Sequence, residues 1–182
     1  MNELRIARIV SAVAHPFVLV PITVALSTRD LRWTAIIAAT TILPVLLVIV
    51  WNVRRGVWSD LDVSRRDQRS GLYWVAIPLL LVAAMTVDTS PSMRRGMLAV
   101  AVILVAGLVG NRFLKISMHM MLAAFCAVVL VRIHPWTPIA TLPILAALAW
   151  SRWRLDRHTP AEIAVGLILG TAAGGFTIVS RG

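Results

Sequence analysis

Cysteine, lysine and acid are all scarce in this chain. The single cysteine, Cys126, stands inside an apolar run. An intrachain disulfide and a cysteine metal cluster are therefore excluded, and the residue reads as a small core side chain. Asp and Glu together number 8 against 18 Lys and Arg, giving a net charge of +10. In a soluble chain that excess would point to nucleic acid. Here the basic residues sit between apolar runs, so anionic headgroups or a phosphate-bearing substrate are the better partners, with membrane lipids around them and no nucleic acid. Lys115 is the only lysine, and every other basic residue is arginine. The planar arginine fork suits bidentate binding of phosphate; helix-end anchoring accounts for the same bias.

Long polar stretches are missing too. Hydrophobic residues make up 59% of the 182, against 45–50% in an average soluble domain. The excess runs from end to end and leaves no room for a separate soluble domain. The expectation is an all-α, polytopic transmembrane helical bundle occupying 1–182 as a single integral-membrane domain. A crossing needs about 20 apolar residues. Candidates lie at 6–27, 33–51, 72–88, 96–114, 117–133, 137–151 and 160–179. The first holds His15-Pro16 and Pro21 and reads as kinked or partly re-entrant, a retained span rather than a cleaved signal. The sixth is short and carries Pro138 and Pro143. Six to seven helices cross in this reading. Gly166, Gly170 and Gly174 form a small-residue stripe for close helix packing.

Polar groups at membrane depth are costly and call for a function. They fall into three clusters. The first is the loop SDLDVSRRDQR, where Arg66 and Arg69 lie three apart on one helical face, beside Arg54 and Arg55, which read as a solvated loop. The second is NRFLKISMH, with Lys115, Ser117 and His119 where an apolar helix restarts. Ser117 fits an N-cap, and a histidine in the first turn can serve as a general acid. The third is SRWRLDRHTPAE. A helix starting near Thr159 brings the Glu162 carboxylate to the His158 imidazole, fixing one tautomer and presenting the other ring nitrogen as a nucleophile. Arg152 adds a fixed positive charge. Thr159, Pro160 and Glu162 equally fit a capping box, and both readings stand together, because a helix N-terminus favours anions.

In this order the clusters resemble the type 2 phosphatidic acid phosphatase superfamily. Its last motif, Ser-Arg, five residues, His, three residues, Asp, is matched by Ser151-Arg152, His158 and Glu162, with Glu in place of Asp. Of its middle motif, PSGH, Ser117 and His119 remain. Its first motif, Lys, six residues, Arg-Pro, is matched by Arg69 alone, with Asp62 in the lysine position and Ser70 in the proline position. The resemblance covers 59–170, and the SDLDVSRRDQR loop is similar to that of small bacterial members. It implies a multi-pass protein of a bacterial plasma membrane that hydrolyses a lipid phosphate. His158 would be the nucleophile, Glu162 its orienting acid and His119 the proton donor. Arg66, Arg69, Lys115, Ser117 and Arg152 would hold phosphate. It implies no metal and no cofactor. An isoprenoid phosphate or diphosphate, or a phosphatidate-type lipid, would be the substrate.

Seven crossings would place all three clusters on one side, and six would keep them together. The distribution of basic residues leaves the orientation open once the expected phosphate ligands are set aside. Two other functions compete. A Mg-dependent prenyl or phosphatidyl transferase would use Asp60, Asp62 and Asp67, although neither paired DxxxD motifs nor a DGxxAR pattern occurs. A non-enzymatic lipid-phosphate binder or transporter would keep the basic residues without the chemistry.

Overall fold

A computed structural model describes residues 2–179. Among them every regular element is helical. The chain divides into two compact units, one built from Met1–Leu31 with Ile116–Gly182 and the other from Arg32–Lys115.

The first unit opens with α1 (Glu3–Val13) and α2 (Pro16–Thr28), bent by 45° where they meet. The bend has a local cause. Pro16 has no N–H to continue α1, and it fits the first position of a new helix. His15 caps that helix, its Nδ1 accepting the Phe17 N–H at 3.1 Å. The kink expected at His15-Pro16 is therefore present. After the second unit come α6 (Met118–Val129), α7 (Thr137–Arg154) and α8 (Pro160–Val179). A 3-10 turn, Leu130–Arg132, closes α6.

Residues from His119 to Ala127 are buried without a break, so α6 is the central helix of this unit, apolar all round and covered all round. It packs against α2, α7 and α8, while α1 packs against α7. Ala14, Met120, Ala123, Leu148 and Ile163 form a shared core.

The contact of α6 with α8 is set by the glycine stripe. A β-carbon at Gly166 would stand 2.7 Å from the Ser117 carbonyl oxygen, one at Gly170 2.0 Å from that of Met121, and one at Gly174 2.7 Å from Val128 Cβ. Only hydrogen fits at these points. The order of the contacts also shows that α6 and α8 run parallel, with their N-termini at the same end.

The second unit contains α3 (Leu31–Arg54), α4 (Arg66–Thr86) and α5 (Pro91–Gly110). A π turn at Ala38–Ile42 widens α3. Pro44 lacks the N–H that an α-helix would direct to the Thr40 carbonyl. The Thr40 and Thr41 hydroxyls each donate to a carbonyl four residues back at 2.7 Å, which further loosens the ladder. Helices α4 and α5 pair closely, and Gly107 leaves room for the Tyr73 ring.

Helices α3, α4, α5 and α8 are long and apolar enough to cross a membrane, and the bent pair α1–α2 makes a fifth if it counts as one span. The 12 residues of α6 are too few to cross alone. The Ser151–Arg154 end lowers the apolarity of α7.

Candidate active site

The first unit brings five of the expected residues to one region. Ser117 and His119 start α6. Arg152 ends α7, and His158 and Glu162 flank the start of α8. The starts of α6 and α8 are joined directly, the Ser117 N–H donating to the Glu162 carbonyl at 3.2 Å. Two parallel helices thus present their N-termini side by side. A helix start is where amide N–H groups have no intrahelical acceptor and where the positive end of the dipole lies, which together favour an anion.

His158 is 4% exposed, and its Nδ1 lies 3.2 Å from Glu162 Oε2. With the carboxylate accepting a hydrogen bond from Nδ1–H, the ring lone pair stands on Nε2. The same Oε2 accepts the Thr159 N–H at 3.0 Å, and Thr159 Oγ1 accepts the Glu162 N–H at 3.3 Å. The capping box and the His–Glu pair are both present and share one oxygen atom. The ring is therefore held by the same bonds that start the helix.

Arg152 is wholly buried. A buried guanidinium is costly unless hydrogen-bonded; its Nη1 donates to Ser11 Oγ at 2.7 Å. Next to it, Ser151 Oγ donates to the Ala7 carbonyl at 2.8 Å. Helix α1 therefore fixes the end of α7 through two buried bonds. The chain then turns through Asp156, which has a left-handed backbone (φ 53°). The Arg157 and His158 N–H groups both return to the Arg152 carbonyl at 3.1 and 3.3 Å. That turn sets His158 relative to Arg152.

Ser117 occupies the N-cap position of α6, but its side chain makes no capping bond. Its hydroxyl is fully buried and has no hydrogen-bond partner among the described residues. Capping therefore does not account for it. His119, 5% exposed, meets the His15 ring edge-on, with centroids 4.7 Å apart.

Arg66, Arg69 and Lys115 belong to the second unit. There Arg66 Nε donates to the Asn111 carbonyl at 2.5 Å, while Asn111 Nδ2 donates to the Arg66 carbonyl at 3.0 Å. Arg69 is buried, and its Nε donates to the carbonyl of Val63, at 3.2 Å. Val63 has a positive φ of 45°, rare for a β-branched residue. Asp60 organises the loop before α4, accepting the Asp62 and Ser64 N–H groups at 3.0 and 3.3 Å as well as the Ser64 hydroxyl. Asp67 pairs with Arg65 at 3.0 Å. Asp60 thus serves to build the loop, and Asp67 is engaged by a neighbouring arginine.

Sequence reasoning passed over Ser11 and His15 as site residues. Ser11 lies on α1 with no local mark, and His15 belongs to the His-Pro break after it, which reads only as a kink. A scan of family models and searches of curated proteins and solved structures each returned no match.

Proposed function

We propose that the chain is an integral-membrane lipid phosphatase that works without a metal through a phosphohistidine. The observation that carries this reading is the contact of the buried His158 ring with Glu162 at 3.2 Å, set where the N-termini of α6 and α8 lie side by side. The buried Arg152 and the Ser117 hydroxyl add donors suited to phosphate. In the proposed reaction His158 Nε2 attacks phosphorus, and the P–O bond to the lipid breaks. The departing oxygen takes a proton from His119. His119 then removes a proton from water, whose oxygen displaces His158 and releases inorganic phosphate.

A lipid tail on the substrate follows from a chain that is nearly all apolar helix. Isoprenoid phosphates or diphosphates and phosphatidate-type lipids are the classes to try. Six to seven membrane crossings belong to the same proposal, in which the bent α1–α2 pair and the shorter α6 and α7 enter the bilayer as well as the four long helices.

The test is phosphate release by the purified protein across these lipid phosphates, with and without EDTA. Turnover that survives EDTA supports the reading. A strict magnesium requirement would favour a transferase, and binding without release a carrier.

Glu162 offers a sharper version. In Glu162→Gln the amide oxygen still accepts the Thr159 N–H, so helix α8 should lose less than the ~1 kcal/mol typical of a lost cap. An amide can also turn its NH₂ towards His158 Nδ1, which reverses the tautomer. Activity is therefore expected to fall about 10²- to 10⁴-fold with little change in thermal stability. An equal loss of both would reduce Glu162 to a helix cap.

A further inference from the structure

The break between α1 and α2 delivers a second imidazole to His119. The His15 ring is held by its neighbours. Its Nδ1 accepts the Phe17 N–H at 3.1 Å, the Phe17 ring lies against it at a centroid distance of 4.7 Å, and His119 lies on it at 4.7 Å with the rings 88° apart. A ring nitrogen of His15 is within 4.8 Å of one of His119. Accepting the Phe17 N–H occupies the Nδ1 lone pair, so this hydrogen bond selects the tautomer with its proton on Nε2. A cap, a neighbouring ring and a proline-started helix thus hold an imidazole of one tautomer against His119.

We propose that His15 is a positioning residue for the proton donor His119, so that the broken N-terminal span is a working part of the reaction centre. This rests on the phosphatase reading and on the role of His119 within it. His119 sits in the first turn of a helix buried from His119 to Ala127, and an edge-on ring blocks its rotation away from the leaving oxygen. General acid catalysis depends steeply on that placement. His15 itself transfers no proton in this scheme.

The variant is His15→Asn, in which the side-chain oxygen still caps Phe17 N–H and the ring is gone. Two substrates with the same lipid tail are compared, an alkyl phosphate and a nitrophenyl phosphate. Alkoxide departure needs a proton; nitrophenolate departure does not. kcat/KM reports the steps up to phosphohistidine formation. For the alkyl phosphate it is expected to fall about 10- to 100-fold, carried by kcat with KM little changed. For the nitrophenyl phosphate it should stay within about 3-fold. His119→Ala should give the same pattern with a loss nearer 10²- to 10⁴-fold.

Equal losses on both substrates would make His15 a structural cap and overturn the proposal, as would an unchanged alkyl rate. If His119→Ala spares the alkyl phosphate, the proton-donor role fails and the proposal with it. A wild-type protein silent on every lipid phosphate would instead sink the phosphatase reading itself.

Discussion

Replacing His158 with alanine is expected to lower phosphate release by at least about 10³-fold, as removal of a nucleophile does elsewhere. The fold should survive. The His158 backbone N–H still donates to the Arg152 carbonyl, and the Glu162 carboxylate still accepts the Thr159 N–H. The bonds that close the α7–α8 turn and start α8 are thus independent of the imidazole. Helical content and thermal unfolding in detergent should stay close to wild type, while the acid-labile phosphoprotein trapped during turnover disappears. Retention of full activity by a folded His158→Ala protein would exclude a phosphohistidine. His158→Asn, closer in size and still polar, separates loss of the nucleophile from loss of packing.

The second large effect falls on packing. Gly170→Val should destabilise the protein by at least about 3 kcal/mol, the upper range for overpacking. A β-carbon there would sit 2.0 Å from the Met121 carbonyl oxygen, which is backbone and cannot rotate away. The parallel pair α6–α8 must separate, and with it the two helix starts that hold Ser117, His119, His158 and Glu162. Activity and stability should therefore fall together. Gly175 is the internal control: a β-carbon there meets nothing within 4 Å. Gly175→Ala should shift stability by less than about 1 kcal/mol and in the stabilising direction, because alanine is the better helix former. Equal melting temperatures for the two variants would refute the close-approach account.

Sequence legibility follows the reach of the interaction. The break at His15-Pro16, the start of α8 at Pro160 and the small-residue stripe could all be read, because each is written within about a turn of helix or in a single repeat. Helix ends defined by apolarity were less legible. The stretch expected at 72–88 belongs to a helix that begins at Arg66, since backbone hydrogen bonding ignores the arginines that break the apolar run. The stretch expected at 117–133 is helical only to Val129 before the 3-10 turn. The π turn in α3 arises from Pro44 acting with two threonines, a combination that apolar patterning does not register.

Within the site, the His158–Glu162 pair was legible because it spans four residues. The Ser11–Arg152 bond joins residues 141 apart, and nothing local announces it. Ser117 illustrates the converse. Its position announced a cap, and the structure gives it the position without the bond.

The shortness of α6 bears on how the protein is made. Twelve helical residues extend about 18 Å, well short of the ~30 Å hydrocarbon core. Such a segment gains little by entering lipid alone, and its two terminal turns would leave backbone groups unsatisfied there. Its natural shelter is the glycine face of α8, which follows it in the chain. Full burial of α6 therefore waits for α8: a nascent chain halted before Pro160 carries His119 on a helix that still lacks the glycine face it packs against.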